Sequence, residues 1–257
     1  MIIRSAAITH IGNVRQKNED NFYINKFFCD NMNLSVKALE DLSNRRYHTF
    51  AVCDGMGGAN YGEIASLTAL KVLRKFDGKN FPERFDKYVR EANRAICEIS
   101  RDDKIGKTGT TIAVMTSDGR TANICNVGDS RIYRFRGGIL EKLSKDHTQI
   151  QDLIDIGVIS EHEASVRNNH ILTQHLGIEE DEFIVEAYIK RDLLLVSGDV
   201  YLLCSDGLTD MLNEDCISGI IELYKNSEPK VIVSELLTHA LEKGGKDNIT
   251  MVVVRVY

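Results

Sequence analysis

Strand-like and helix-like patterns fall in separate groups along this chain instead of alternating one by one. The strand-like runs are 2–9, 21–28, 47–54, 110–116, 121–127, 131–136, 200–204 and 249–256. The runs with apolar residues at helical spacing are 64–76, 85–99 and 231–241. A parallel α/β sheet requires a helix between successive strands, so this grouping predicts an α+β sandwich in which helices cover antiparallel sheets.

Composition and charge narrow the class of molecule. The chain has 257 residues, 43% of them hydrophobic and 27% charged, which suits a soluble globular protein. Its net charge of −6 disfavours nucleic acid and anionic membranes as partners, because both attract a basic face. The six cysteines form no C-x-x-C pair, which indicates reduced thiols. No apolar run approaches the about 20 residues of a membrane-spanning helix, so we expect a cytoplasmic protein with neither nucleic acid nor membrane as partner.

Two stretches depart from the regular pattern. Residues 31–46 are polar, with a weak helical pattern at 36–42, and are interpreted as an insertion between strands. Residues 147–191 are acidic and irregular, with a short helix expected near 150–156, and are interpreted as a mobile lid. The acidic run at 179–182 within this stretch is interpreted as a solvated turn.

Acidic side chains recur where the predicted strands begin or end. They are Glu19, Asp20, Asp54, Asp129, Asp206 and Asp247. A single Asp-Gly pair is usually a turn, but several carboxylates on strands that share one core can converge at one edge of it. Such carboxylates repel one another unless a cation lies between them. Oxygen ligands without a matching histidine or cysteine favour Mg²⁺ or Mn²⁺ over Zn²⁺.

Two divalent ions in one site suggest a reaction class. Ions about 3.5–4 Å apart can turn a shared water into hydroxide near neutral pH, and hydroxide suits attack on a phosphoryl group. The phosphate oxygens then need a cation, and Arg15 is available to bind them in bidentate fashion; the alternative interpretation is an ordinary surface arginine. Gly55 lets the backbone approach closely, so its carbonyl is a candidate ligand.

Seven motifs in fixed order carry a resemblance to a known family. They are GNVRQKNEDN at 12–21, VCDGMGG at 52–58, GEIAS at 62–66, TGTT at 108–111, NVGDSR at 126–131, LCSDGLTD at 203–210 and DNIT at 247–250. The chain thereby resembles the metal-dependent Ser/Thr protein phosphatases of the PPM, or type-2C, family, in its compact bacterial form. The resemblance implies one catalytic domain over 1–257, folded as a four-layer α-β-β-α sandwich of two mainly antiparallel sheets flanked by helices.

The resemblance also implies a reaction and a core metal site. Phosphoserine and phosphothreonine in proteins would be hydrolysed by a metal-bridging water or hydroxide. Asp54 would bridge two Mg²⁺ or Mn²⁺ ions, with the carbonyl of Gly55 as a further ligand. Asp206 and Asp247 would complete the first of the two sites. The expected molecule is a monomer whose partners are phosphorylated proteins, a Ser/Thr kinase among them.

Further residues match the family's outer positions. Glu19 and Asp20 would hold metal-bound waters near the second ion. Asp129, together with Asp206, matches a weaker third metal site of bacterial-type members. Arg15 matches the arginine that binds phosphate. The region after 143–148 matches a flap that helps to choose substrates.

The chain departs from the family pattern at two places. Met56 stands where some members carry a histidine proposed as proton donor, so this side chain cannot act as a general acid. Gln174 stands where the flap motif usually has arginine. The stretch 31–46 has no family counterpart that we can assign.

Two other functions compete with this interpretation. A cysteine-based phosphatase is suggested by the C-x5-R spacing of Cys125 and Arg131. That chemistry needs an electropositive loop that lowers the thiol pKa, whereas Asp129 lies inside the loop and the run resembles a strand, a turn and a strand. A catalytically silent binding module with the phosphatase fold is the second alternative. Such a module would lack one of the metal-binding carboxylates, whereas Asp54, Asp206 and Asp247 are all present.

Overall fold

The computed structural model describes residues 1–30, 36–42, 45–57, 61–102, 105–160, 163–164 and 171–257. The strands in these ranges are β1 (Ile3–His10), β2 (Asn21–Ile24), β3 (Phe27–Phe28), β4 (Val36–Asp41), β5 (His48–Cys53), β6 (Gly55–Gly57), β7 (Thr108–Thr110), β8 (Ile112–Ser117), β9 (Thr121–Val127), β10 (Arg131–Arg136), β11 (Ile139–Lys142), β12 (Tyr188–Leu194), β13 (Val200–Cys204) and β14 (Ile249–Val256). The α-helices are α1 (Gly62–Phe76), α2 (Phe85–Ser100), α3 (Gln149–Asp155), α4 (Asp206–Thr209), α5 (Glu214–Tyr224) and α6 (Pro229–Glu242).

Two six-stranded sheets form the centre of the molecule. The first has the order β11-β10-β13-β14-β1-β4 and the second the order β12-β9-β8-β5-β2-β3. Neighbouring strands are antiparallel in both sheets. Strands β6 and β7 pair as a separate short ribbon beside the second sheet. The predicted sandwich of antiparallel sheets is therefore confirmed.

The alternation of side chains along each strand creates three apolar layers. In β5, Phe50 packs between the two sheets, whereas the next residue, Ala51, packs beneath α1 and α2. In β14, Val252 packs between the sheets, whereas Val253 packs beneath α5 and α6. Both sheets are thus buried on two faces, and helices cover the outer faces. This arrangement is the four-layer α-β-β-α sandwich that the resemblance implies.

The helices begin where their sequences favour it. The side chain of Asn213 accepts a hydrogen bond from the backbone N–H of Cys216, 2.9 Å away, and so caps α5. Pro229 occupies the first turn of α6, where the missing N–H is not needed. The stripe on α2 buries Phe85, Tyr88 and neighbouring apolar residues against the second sheet, as the spacing predicts.

Two local predictions are wrong. The weak helical pattern at 36–42 is in fact β4, which pairs with β1 at the edge of the first sheet. The single strand expected over 21–28 is a hairpin, because Asn25 and Lys26 adopt φ values of 48° and 80° and reverse the chain. Residues 31–35 and 43–44 of the proposed insertion lie outside the described residues.

Several elements were not anticipated. The sequence analysis predicts neither helix α5 nor strand β11, and β12 lies across the end of the proposed lid at 147–191. The short helix expected near 150–156 is present as α3. Parts of the lid, 161–162 and 165–170, lie outside the described residues, and its mobility stays a prediction. Within the described ranges, no helix has the length and apolarity to cross a membrane.

Candidate active site

The acidic residues named above gather at one end of the sandwich. Asp54 follows the end of β5, and Asn21 at the start of β2 pairs with Cys53 at that same end. Asp206 follows β13, and Cys204 pairs with Met251 near the start of β14. Antiparallel pairing therefore brings strand ends that are distant in sequence to one edge. A cleft of about 720 Å³ opens there, and its lining includes Arg15, Glu19, Asp54, Gly55, Asp129, Asp206 and Asp247.

Asp54 and Asp206 form the centre of the cleft. Burial raises the pKa of Asp54 well above its usual range, and the nearby charges of Asp20 and Asp206 raise it further. The carboxyl of Asp206 also lies within hydrogen-bond distance of that of Asp54. The backbone of Asp54 is fixed on both sides: its N–H donates to Thr111 Oγ1 at 3.0 Å, and its carbonyl accepts from Thr110 Oγ1 at 2.8 Å.

Two more carboxylates flank this pair. Asp20 is buried below the cleft, where its Oδ2 accepts a hydrogen bond from Ser205 Oγ at 2.7 Å. Burial raises the pKa of Asp20 well above its usual range, and the charge of Asp206 adds to the effect. Asp129 is also buried, and burial together with the charges of Asp206 and Asp146 raises its pKa to about 8. The end of the sandwich thus holds more negative charge than its own cations balance.

Glu19 lies on the rim of the cleft, where hydrogen bonds to both its backbone and its side chain fix its position. Its carbonyl accepts from Ser66 Oγ at 2.7 Å, and its N–H donates to Asn248 Oδ1 at 2.8 Å. Its Oε1 accepts from the N–H of Gly62 at 3.3 Å, and burial raises the pKa of its carboxyl. A Cβ on Gly55 would lie 2.3 Å from the Glu19 carbonyl oxygen, so this position admits no side chain.

Asn248 is a structural residue of the site that the sequence pattern did not single out. Its amide Nδ2 donates to the carbonyls of Ile11 and Lys17, both at 2.9 Å, while its Oδ1 accepts from Glu19. It thereby ties the 11–19 loop to the start of β14. The sequence feature that could have indicated Asn248 is its position directly after Asp247 in the DNIT motif.

Arg15 is the cation at the mouth of the cleft. Its Nη2 donates to Asp247 Oδ2 at 2.5 Å, and this hydrogen bond raises the pKa of the guanidinium. The Arg15 side chain is 56% exposed, so it remains reachable from solvent. The other oxygen of Asp247 accepts from the N–H of Asn248 at 2.8 Å.

The composition of the cleft fits hard divalent cations. Its candidate donors are carboxylate oxygens and the carbonyl of Gly55, with no histidine or cysteine among the described lining residues. Among the described residues, no three His, Cys, Asp or Glu side chains are close enough together to enclose an ion. The carboxylates instead line an open cleft, in which mutual repulsion would be relieved by added positive charge.

The geometry does not support the cysteine-based alternative. Cys125 is fully buried in β9, beneath α1 and α2, and burial raises the pKa of its thiol. Arg131 Nη2 is bound to Asp146 Oδ2 at 2.8 Å instead of cradling a loop. A protonated and inaccessible thiol cannot attack a phosphate ester.

Known proteins match this chain along most of its length. The family model described as Protein phosphatase 2C matches residues 6–152. The chain is 31% identical over its full length to the serine/threonine protein phosphatase PstP of Mycobacterium tuberculosis, and spans 45% of that protein. It is 31% identical to protein phosphatase PhpP of Streptococcus pneumoniae, with 96% of this chain and 95% of PhpP covered. The chain thus spans less than half the length of PstP but nearly all of PhpP.

Solved structures give the same result. The S. agalactiae serine/threonine phosphatase superposes with a TM-score of 0.82 at 29% identity, covering 99% of this chain and 100% of that one. The catalytic domain of PstP in complex with two manganese ions superposes with a TM-score of 0.77 at 30% identity, covering 99% and 98%. With the family match over more than half of the sequence and the shared four-layer fold, this chain belongs to the protein phosphatase 2C family.

Proposed function

We propose that this chain hydrolyses phosphoserine and phosphothreonine esters in proteins with the aid of divalent metal ions. One observation carries the proposal: acidic residues from five separate segments of the chain meet at a single end of the sandwich, with an arginine at the mouth of their cleft. The family match and the named phosphatases among the relatives support the same reaction.

The core metal ligands in this proposal are Asp54, Asp206 and Asp247, with the carbonyl of Gly55. They would hold two ions, Mg²⁺ or Mn²⁺, and the two manganese ions in the PstP catalytic domain support that number. Bound ions would supply positive charge and a hydroxide nucleophile near neutral pH.

Outer residues assist in different ways. Glu19, at the rim, and Asp20, from its buried position below the cleft, would accept hydrogen bonds from waters of the second ion and so orient them. Asp129 would share a third, weaker ion with Asp206; the charge of Asp206, which helps to raise the pKa of the buried Asp129 carboxyl, supports that pairing.

Arg15 would bind the phosphate group of the substrate. Its ion pair with Asp247 holds the guanidinium at the cleft. A charge-assisted, bidentate hydrogen bond from a guanidinium to phosphate is stronger than a hydrogen bond between neutral groups. Met56 offers no proton to the leaving oxygen, so residue 56 takes no part in protonating the released serine or threonine.

The proposal extends to partners and setting. Substrates would be phosphoproteins, with a Ser/Thr kinase among them, and the enzyme would act as a monomer in the cytoplasm. All six cysteines are free and five are buried, which suits a reducing compartment.

The test is turnover of p-nitrophenyl phosphate and of a phosphothreonine peptide by the purified chain. We expect activity with Mn²⁺ or Mg²⁺, loss of at least about 100-fold on full chelation, and recovery when Mn²⁺ is restored. Activity that survives complete removal of metal would refute the proposal. Absence of turnover under all metal conditions would favour a silent binding module.

A further inference from the structure

A second groove adjoins the candidate active site. This side groove, with a volume of about 470 Å³, is lined by Met56, Gly57, Thr108, Gly109, His175 and Ile178, among others. Met56 and Gly57 also line the catalytic cleft, so the two cavities share one wall. The side groove therefore lies directly beside the cleft.

The shared wall is a fixed structure. Strand β6 pairs with β7, and Thr110 at the end of β7 exchanges two backbone hydrogen bonds with Leu176, at 2.9 and 3.0 Å. A Cβ on Gly109 would lie 2.5 Å from His175 Nδ1, so this close packing requires glycine. The segment around Leu176 is thus anchored to the same ribbon that carries Met56.

Several polar atoms that line the side groove already have hydrogen-bond partners within the protein. Thr108 Oγ1 lies 3.1 Å from the Met56 carbonyl and 3.0 Å from the Tyr61 carbonyl. Ser100 Oγ donates to the Ile96 carbonyl at 3.0 Å. His175 Nδ1 lies 3.0 Å from the carbonyl oxygen of Leu176. A ligand there gains little from polar groups, so the floor favours apolar surface.

Charges on the rim are paired with each other. Arg101 Nη2 contacts Glu179 Oε2 at 3.0 Å, and Lys107 Nζ contacts Glu182 Oε1 at 3.1 Å. The acidic run at 179–182 is an exposed turn, as expected, and these two pairs also join it to the end of α2 and the following loop. Because each acid faces a base, the rim gives no preference for a charged ligand of either sign.

We propose that the side groove binds an apolar side chain of the phosphoprotein substrate, within about three residues of the phosphorylated serine or threonine. This inference rests on the proposed function. Its support is the wall shared with the cleft, the satisfied polar floor and the neutralised rim. An extended peptide advances about 3.3 Å per residue, so three residues span about 10 Å, a length suited to two adjoining cavities.

The test is a panel of phosphothreonine peptides that differ at one position. Leu, Ala, Lys or Glu is placed in turn at each of three positions before and after phosphothreonine, and kcat/KM is measured with Mn²⁺. At one position or more we expect Leu to exceed Ala by about tenfold, as burial of a few methylene groups allows, with Lys and Glu no better than Ala. p-Nitrophenyl phosphate is assayed in parallel.

Variants of Ile178 test whether the side groove causes the Leu preference. Ile178→Asp should remove the Leu preference and make Lys the preferred residue at the same position, a reversal that a general folding defect cannot produce. Ile178→Leu should keep the Leu preference. Ile139→Asp, on the distant strand β11, where Ile139 is 70% exposed, should leave the Leu-to-Ala ratio as it is.

The outcomes separate the two proposals. Turnover of p-nitrophenyl phosphate together with a flat peptide panel would overturn the side groove alone. A Leu preference that Ile178→Asp leaves intact would also overturn it. Failure to hydrolyse any substrate would overturn both proposals.

Discussion

The closely spaced carboxylates at the cleft destabilise the folded chain when no metal is bound. Asp20, Asp54 and Asp129 each have a pKa raised by burial and by neighbouring carboxylates. A protein selected for stability alone would place apolar or paired groups in such positions. The retained repulsion is consistent with a site that is completed by positive charge, and it makes mutational effects on stability and activity opposite in sign.

Asp54→Asn tests this opposition. Removing one charge from the cluster should raise the free energy of unfolding of the metal-free chain, by about 0.5–2 kcal/mol. The same change should lower kcat/KM at least about 100-fold, because a central metal ligand is lost. Chemical denaturation in chelator and aryl-phosphate turnover with Mn²⁺ measure the two effects.

Asp215→Ala is the matched control for Asp54→Asn. Asp215 is an exposed acid in the first turn of α5, away from the cleft. This variant should keep its activity and lose at most about 1 kcal/mol of stability through the helix terminus. An Asp54→Asn protein with normal turnover would contradict the assignment of that residue.

Arg15→Ala should act on substrate binding. Losing a charge-assisted contact to phosphate should raise KM by about tenfold while kcat changes less. Arg15→Lys should recover part of the loss, since the charge returns without the bidentate geometry. Steady-state kinetics on p-nitrophenyl phosphate check this, and an unchanged KM in Arg15→Ala would reject the role.

The site could be anticipated from sequence only in part. Each acidic candidate follows or precedes a strand pattern, and pairing of those strands brings the candidates together, as argued for Asp54 and Asp206. Asn248 escaped notice because its partner Glu19 lies 229 residues away, and nothing in the local pattern reveals a hydrogen bond of that kind. Asp20, expected beside the waters of the second ion, lies buried below the cleft.

At the scale of elements, the ribbon of β6 and β7 controls the shape of both cavities. It carries Met56 on one strand and Gly109 on the other, and it receives the backbone of Leu176. Close approach of three backbone segments leaves no room for side chains at the glycines. Small changes in this ribbon should therefore alter stability and catalysis together.

Gly109→Ala and Gly219→Ala form a contrasting pair. The added methyl of Gly109→Ala would lie 2.5 Å from His175 and 2.8 Å from the Leu176 carbonyl, so we expect a loss of about 1–3 kcal/mol and reduced turnover. Gly219 lies within α5 with open space around it, so Gly219→Ala should add about 0.5–1 kcal/mol. Thermal denaturation measures the stability of both variants, and phosphatase assays measure their turnover. A stable, active Gly109→Ala protein would argue against a rigid ribbon of β6 and β7.

Elements differ in how far their sequences reveal them. The patterns of β9, β10, β13 and β14 give the observed bounds, because these strands are buried and flanked by turn residues. The spacing of apolar residues in β4 predicts a weak helix, but the segment is a strand at the edge of the sheet. Its pairing with β1, and not the spacing of its own apolar residues, determines its conformation. The sequence analysis does not predict helix α5, although Asn213 caps it and Ile217, Ile220 and Ile221 form its buried face at helical spacing.

At the scale of the whole molecule, metal binding should stabilise the fold. The candidate ligands come from segments in both sheets, so an ion that binds only the folded chain links the two halves of the sandwich. At about 100 times its dissociation constant, such an ion contributes about 2.7 kcal/mol. We expect Mn²⁺ to raise Tm by about 5–10 °C relative to chelator.

Calorimetry with and without Mn²⁺ measures this shift, with two variants as references. Asp54→Asn should lose most of it, whereas Asp215→Ala should show the full effect. An equal shift in both variants would place the stabilising ion somewhere other than the cleft.

The last strand in sequence, β14, lies inside the first sheet, between β13 and β1. During synthesis the ribosome releases β1 more than two hundred residues before its neighbour exists, so β1 must wait with one edge unpaired. The catalytic centre cannot assemble in a nascent chain, because Asp247 and Asn248 emerge just ahead of that strand. Prematurely terminated products would therefore be inert toward phosphoproteins, and their open edge would make them candidates for aggregation and proteolytic clearance.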